Sequence, residues 1–190
     1  MDDTDIVLVR HKLDVDDYHR MAEAGILGED DRVELIDGEL IDMAPIGQGH
    51  AATVNRLTRA LVMIFGERAI VSVQNPVRLN RFSEPQPDFA VFKPRADFYE
   101  TGEHPRPADT LLVIEVADSS LRYDRVVKLP LYARAGIPEV WIINLPRRVV
   151  EVHRAPTGDG YGVAETHGPD DTVTLSQASG INVALRHIFG

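Results

Sequence analysis

The sequence predicts an α/β (α+β) fold, in which helices and strands are mixed along the chain. Asp37-Gly38 separates two runs of alternating apolar residues, which is the strongest short signal for a β-hairpin. Apolar residues then recur at helical spacing from about His50 onward. A strand, a helix and another strand follow between residues 110 and 145, as in a β–α–β unit.

Composition limits the class of protein. The chain has 190 residues, 44% of them hydrophobic, and we expect a single domain over 1–190. It has no cysteine, which fits a reducing cytoplasm, and its densest apolar stretch is too short to span a bilayer. The formal net charge of −10 gives no overall basic footprint, so contacts with nucleic acid would have to be local.

The first half of the chain predicts a tail or edge strand over 1–13, then a short helix that Asp14 caps and Gly25 ends. The hairpin occupies 32–43 and a helix begins near residue 50. A strand at 70–73 is expected to continue past Asn75-Pro76 into 77–79.

The second half predicts strands at 89–92 and 110–116, with an irregular segment over 93–109 between them. Ser119 or Ser120 is expected to cap the next helix, which ends at Gly136 and is kinked or divided by Pro130. A second hairpin joins 139–145 to 149–154, and 156–170 is expected to be a polar loop.

Two acidic residues stand in apolar, β-prone runs. Asp88 begins the Phe89 run and Glu115 lies inside the next predicted strand, where carboxylates are rarely found without a partner. Neighbouring strands lie about 5 Å apart, so two carboxylates that face the same side can share one hard cation. Lys128 follows on the next helix, where its charge can assist attack on a phosphate.

Each of these residues also has a structural interpretation. Asp88 can serve a turn after Pro87, Glu115 can form an ion pair with Lys128, and Glu34 can lie on the exposed face of the hairpin. Lys128 can be a solvated helix charge. His50 is expected only to cap or precede its helix. Gln74 can be a satisfied polar group near the Asn75-Pro76 turn, and a role beside the metal is its alternative.

An ordered set of motifs resembles the Uma-two family of restriction-endonuclease-like proteins in the PD-(D/E)XK nuclease superfamily. The motifs are Glu34-Leu35-Ile36-Asp37-Gly38-Glu39-Leu40, Gly49-His50, Gln86-Pro87-Asp88, Ile114-Glu115-Val116-Ala117-Asp118-Ser119-Ser120, Asp124, Lys128, Tyr132 and Gly136-Ile137-Pro138-Glu139-Val140-Trp141. The resemblance implies a restriction-endonuclease-like mixed β-sheet flanked by helices, with the N-terminal β-hairpin, and a Mg²⁺ or Mn²⁺ site.

The resemblance also implies roles for single residues. Asp88 and Glu115 match the two acids of the motif, and the backbone carbonyl of Val116 is a further candidate metal ligand. The superfamily pattern has lysine two residues after the second acid, where this chain has Ala117, and Lys128 resembles the relocated lysine of this family. Glu34 matches the extra acid before the core motif.

These observations favour a metal-dependent endonuclease that acts on DNA. A non-catalytic scaffold or dimerisation protein that keeps the fold is the alternative, and a hydrolase of a small phosphate substrate is a third. A homodimer is expected because a duplex has two strands to cleave. Its candidate edge residues are Val140, Ile142, Val150 and Val152, for which the alternative is that all four lie in the core.

Overall fold

The computed structural model describes residues 9–28, 30–102, 104–178 and 180–189. The helices are Val15–Glu23 (α1), Gln48–Phe65 (α2), Leu121–Tyr123 (α3), Leu129–Ala135 (α4) and Arg186–Phe189 (α5). The strands are Val33–Ile36 (β1), Glu39–Asp42 (β2), Ile70–Val73 (β3), Phe89–Phe92 (β4), Thr110–Ala117 (β5), Glu139–Asn144 (β6), Val149–Thr157 (β7), Gly160–His167 (β8), Thr172–Thr174 (β9) and Asn182–Ala184 (β10). Short 3₁₀ helices span Gly66–Arg68 and Pro107–Asp109, and a π-helical turn spans Asp124–Lys128.

A six-stranded mixed sheet in the order β3-β4-β5-β6-β7-β8 organises the described residues. Strands β5 and β6 pair in parallel and every other neighbouring pair is antiparallel. The parallel pair requires a crossover, which α3, the π turn and α4 supply. The mixed sheet, the helices beside it and the N-terminal hairpin confirm the predicted fold class.

Each face of the sheet has its own core. On one face, Leu57 and Leu61 of α2 pack against a set of strand residues that includes Ile114. On the other, Leu131 of α4 packs with a set that includes Val113. Because side chains alternate along a strand, Glu115 points to the α4 face, as Val113 does.

The hairpin β1–β2 turns at Asp37-Gly38, as predicted. Both residues have positive φ, 49° and 84°, which is the type I′ geometry that matches the twist of the paired strands. The turn also packs closely, because a Cβ on Gly38 would lie 2.6 Å from the Cβ of Lys12. Glycine is therefore required here both by the backbone and by the available space.

The predicted N-terminal cap is confirmed. Asp14 accepts a hydrogen bond from the Asp17 amide at 2.8 Å, and Asp17 accepts one from the Asp14 amide at 3.1 Å. This reciprocal pair satisfies two amides of the first turn of α1. Gly25, with φ of 70°, follows the end of the helix.

The crossover helix changes its winding just before Pro130. Pro130 has no N–H, and its ring would crowd the carbonyl four residues earlier. The chain accommodates the ring with a π turn over Asp124–Lys128, in which the Leu129 amide bonds the Asp124 carbonyl. The predicted division of this helix is confirmed, and it takes the form of a π turn.

Two predictions of secondary structure are wrong. The segment 156–170 is not a loop, because β8 pairs along β7 from Thr157↔Gly160 to Val150↔His167. The strand at 70–73 does not continue into 77–79, because Gln74 has φ of 52° and Pro76 has no amide hydrogen. Val77 and Leu79 instead bond the carbonyls of Pro85 and Ser83.

The predicted dimer edge is also wrong. Val140, Ile142, Val150 and Val152 are at most 1% exposed, because β6 and β7 lie inside the sheet between β5 and β8. Of the predicted tail, residues 1–8 lie outside the described part of the chain, and 9–13 form no helix or strand. Within the described ranges, no helix has the length and apolar character needed to cross a bilayer.

Replacing Gly38 by alanine should lower the free energy of unfolding by about 1–3 kcal/mol, because a Cβ is both strained at this φ and too close to Lys12. Gly49→Ala is the matched control, since a Cβ there meets nothing within 4 Å. Because Gly49 lies in a helix, its replacement should be neutral or slightly stabilising. Urea denaturation of both variants measures the difference, and equal effects would contradict the turn assignment.

Candidate active site

A cavity of about 320 Å³ lies where the hairpin, the start of α2 and the crossover meet the sheet. Its charged and strongly polar lining residues are Arg32, Glu34, Asp42, His50, Gln86, Asp88, Glu115, Asp118, Ser119, Ser120, Tyr123, Asp124 and Lys128. The side chains predicted to form a site, Glu34, Asp88, Glu115 and Lys128, are thus brought together. Acidic groups outnumber cationic ones in this lining, so the cavity suits a cation.

Asp88 lies immediately before β4, beside the middle of β5. Its Oδ2 accepts a hydrogen bond from the Val116 amide at 2.8 Å. Its Oδ1 accepts one from His50 Nε2 at 2.8 Å and a longer one from Gln74 Nε2 at 3.4 Å. The pairing of Phe89 with Ile114 places Asp88 next to Glu115, on the same face of the sheet. The carboxylate is thereby fixed in orientation from three directions.

Glu115 is almost completely buried, with 4% of its surface exposed. Its Oε1 accepts a hydrogen bond from the Tyr132 hydroxyl at 2.6 Å and lies 3.2 Å from Lys128 Nζ. Burial raises the pKa of Glu115 to about 8; the Lys128 charge opposes this rise, whereas Asp124 and Asp88 add to it. The protein therefore holds a desolvated carboxyl group that a further cation would stabilise in its ionised form.

Lys128 links β1 to β5 through a carboxylate on each strand. Its Nζ lies 3.1 Å from Glu34 Oε2 as well as 3.2 Å from Glu115 Oε1. Burial alone would lower the pKa of Lys128, but the charges of Glu115, Glu34 and Asp124 outweigh burial and raise it. The ammonium group is therefore held in its charged form beside the cavity.

Glu34 is not on an exposed face of the hairpin. It is 2% exposed, and besides Lys128 it accepts hydrogen bonds from the Tyr123 hydroxyl and the Gln86 amide, each at 3.1 Å. The Gln86 contact ties the hairpin to the segment that leads into Asp88. Glu34 thus supports the lysine and the chain around Asp88.

Sequence reasoning gave no role to several residues that line the cavity, among them Asp124 and His50. Asp124 accepts a hydrogen bond from the Ser120 hydroxyl at 2.7 Å; burial raises its pKa to about 6, opposed by that bond and by Lys128. His50 was expected only to cap its helix, yet its ring bonds Asp88. That hydrogen bond raises the pKa of His50, while burial opposes the rise. In the sequence, the one indication that either residue has a role was its place among the motifs that carry the family resemblance.

Potential metal ligands in the cavity are not tightly clustered. Among the residues that the structure describes, the one group of three His, Asp or Glu ligand atoms within 4.8 Å of one another lies elsewhere, at His19, Glu84 and His104. In the cavity, Asp88 and Glu115 are the neighbouring carboxylates that face one side. A cation there would complete its shell with a peptide oxygen and water.

The mixed sheet flanked by helices, with its N-terminal hairpin, matches a nuclease-like fold. A solved structure described as "a putative nuclease belonging to DUF820", from Anabaena variabilis ATCC 29413, superposes with a TM-score of 0.72. The two sequences are 19% identical, and the alignment covers 93% of this chain and 97% of the other. At that identity the likeness shows the fold.

The chain belongs to the Uma2 family, whose profile is described as "Putative restriction endonuclease" and matches residues 15–186. The family resemblance drawn from the sequence motifs is thereby confirmed. A comparison with curated proteins found no match.

In EDTA, the free energy of unfolding should fall by a few kcal/mol as the pH rises from about 4.5 to about 8. The pKa of Glu115 is near its ordinary 4.5 in the unfolded chain and about 8 in the folded one, so the folded state binds the proton more tightly in that range. Asp124 contributes in the same direction between its ordinary 3.8 and about 6. Denaturation at several pH values measures the slope.

Glu115→Gln should remove most of that pH dependence, because the amide does not titrate. Glu67→Gln, at an exposed position outside the cavity, is the matched control and should behave as wild type. A Glu115→Gln variant that kept the full slope would show that another group titrates.

Proposed function

We propose that the protein is a divalent-metal-dependent endonuclease that hydrolyses DNA phosphodiester bonds. One observation carries the proposal: Asp88 and Glu115 open on the same cavity, and the ammonium group of Lys128 lies 3.2 Å from Glu115. Two carboxylates can hold a divalent ion, and a lysine can offset the charge that develops on an attacked phosphate. Membership of the Uma2 family supports the same reaction class.

The donor set fits Mg²⁺ or Mn²⁺. Both ions prefer oxygen ligands, and Mg²⁺ usually keeps several waters beside one or two carboxylates. Within a strand, the N–H and C=O of one residue point to the same side. Because the Val116 amide bonds Asp88, we expect the Val116 carbonyl on that side too, as a third oxygen ligand.

The bound ion would supply Lewis acidity toward a phosphate oxygen and lower the pKa of water. The residues of the chain do the rest. Lys128 holds a fixed positive charge where negative charge develops on the phosphate, and Glu34 and Tyr132 fix its position and that of Glu115. His50 and the Val116 amide hold the Asp88 carboxylate in one orientation.

Lys128 replaces the lysine that the superfamily pattern has at position 117. Ala117 is two residues after Glu115, so its side chain points to the same face of the sheet, and it is buried. A methyl group leaves room for a side chain that enters from the crossover. The lysine function is therefore retained by a different element of the fold.

DNA is the substrate class we propose, on the family description. The chain carries a net charge of −10, so its contacts with the phosphate backbone must be local. Arg32 lies at the cavity, where its Nη1 donates to the Ala44 carbonyl. A homodimer stays a prediction; β3 and β8 are the strands at the sheet's edges that remain for pairing.

Plasmid DNA should be cleaved in Mg²⁺ or Mn²⁺ and not in EDTA. Asp88→Asn and Glu115→Gln should each reduce the rate at least about 100-fold, because each removes charge at the site of metal binding. Lys128→Met should reduce the cleavage rate by a similar factor, although it leaves both carboxylates in place. Supercoiled-to-nicked conversion, followed on gels, measures the rate.

Glu67→Gln is the control and should cleave as wild type. If wild type and Asp88→Asn are equally inactive with both metals on double- and single-stranded DNA, the proposed activity is wrong. The non-catalytic scaffold would then be the better description of the protein.

Millimolar Mg²⁺ or Mn²⁺ should raise the melting temperature of the wild type, because the ion binds only the folded state and relieves repulsion among the acids. Asp88→Asn and Glu115→Gln should each be slightly more stable than wild type without metal, and each should lose the metal-dependent rise. Thermal melts with and without metal test this. A purely structural Glu115–Lys128 pair predicts instead that Glu115→Gln loses stability and that wild type ignores metal.

A further inference from the structure

A second group of metal-binding side chains lies outside the cavity. It consists of His19 on α1, Glu84 in the segment before β4, and His104 in the segment before the 3₁₀ helix. One ligand atom from each lies within 4.8 Å of the other two. None of the three lines the cavity that contains Asp88.

The group is held in place by direct contacts. His19 Nε2 lies 2.7 Å from Glu84 Oε1. The His19 and His104 rings pack edge to face, with centroids 5.6 Å apart and planes at 82°. Three separate segments therefore bring two imidazoles and one carboxylate to the same point.

Glu84 provides an independent indication of a missing ligand. The residue is 1% exposed, and its Oε2 finds no hydrogen-bond partner among the described residues. A buried carboxylate oxygen without a partner is costly, and such an atom in a native protein calls for an explanation. His19 satisfies Oε1 alone, so half of the carboxylate remains uncompensated.

We propose that His19, Glu84 and His104 bind a divalent transition metal ion, of which Zn²⁺ is the representative. Two imidazoles and one carboxylate, with an open fourth position, form a ligand set that zinc uses. Imidazole ligands favour such ions over Mg²⁺, which prefers oxygen. The ion takes the place of the hydrogen between His19 Nε2 and Glu84 Oε1, and the neutral imidazole then carries its proton on Nδ1.

The position of the site would let a bound ion brace the fold. Glu84 lies in the segment that carries Asp88, its amide bonds the Leu35 carbonyl at 2.8 Å, and two residues later the Gln86 amide bonds Glu34. An ion at Glu84 joins this segment to α1 and to the His104 segment. It would therefore steady both the hairpin and the chain that leads into Asp88.

The test measures Zn²⁺ binding to the EDTA-stripped, dialysed protein by calorimetry, with excess Mg²⁺ present to occupy oxygen-rich sites. Wild type should bind one ion and melt at a higher temperature in Zn²⁺. His104→Ala and Glu84→Gln should weaken binding by more than the roughly 10–100-fold that loss of an outer-shell partner costs. His104 is exposed, so its replacement should leave the fold intact.

His187→Ala, at another exposed histidine, and Asp88→Asn should both bind Zn²⁺ as wild type does. The latter separates this site from the proposed nuclease centre. If wild type binds no Zn²⁺, the group is only a hydrogen-bonded pair with a neighbouring histidine, and the proposal fails. It fails equally if His104→Ala and Glu84→Gln bind as tightly as wild type.

Discussion

The buried contact of Lys128 with Glu34 and Glu115 is the interaction on which the rest of the site depends. It joins the hairpin, the central strand β5 and the crossover helix, which are three separate elements. A buried charge without its partner costs roughly 3–5 kcal/mol, so none of these elements can move away alone without a large penalty. Two tyrosine hydroxyls from the same crossover also donate hydrogen bonds to these carboxylates: Tyr123 to Glu34 and Tyr132 to Glu115.

The backbone geometry of the crossover makes that contact possible. The π turn over Asp124–Lys128 begins and ends with buried charged residues, and both line the cavity. Pro130 explains why the turn forms where it does. Such turns are frequent at functional sites, and here the widened turn brings the Asp124 carboxyl group and the Lys128 ammonium group to one cavity.

Local chemistry made much of this arrangement predictable. Asp37-Gly38 predicted its hairpin, Asp14 its cap, and the acids in apolar runs predicted the place where charge is buried. The sequence did not predict β8, because its residues are mostly exposed and show no alternation, and it is the pairing with β7 that identifies the strand. The contact of His50 with Asp88 was not predicted for a different reason: Asp88 is far away in sequence, and only the packing of α2 brings the two together.

The location of the lysine on a helix has a consequence for how the site can be switched. A lysine on β5 itself would be fixed relative to Glu115 by the strand, whereas Lys128 reaches Glu115 only while the crossover stays docked on the sheet. Displacing the crossover would separate the Lys128 ammonium group from Glu115, at the energetic cost given above, whereas Asp88 would keep its contact with Val116. The position of the crossover therefore sets the charge balance around Glu115, and with it the affinity of the cavity for a cation.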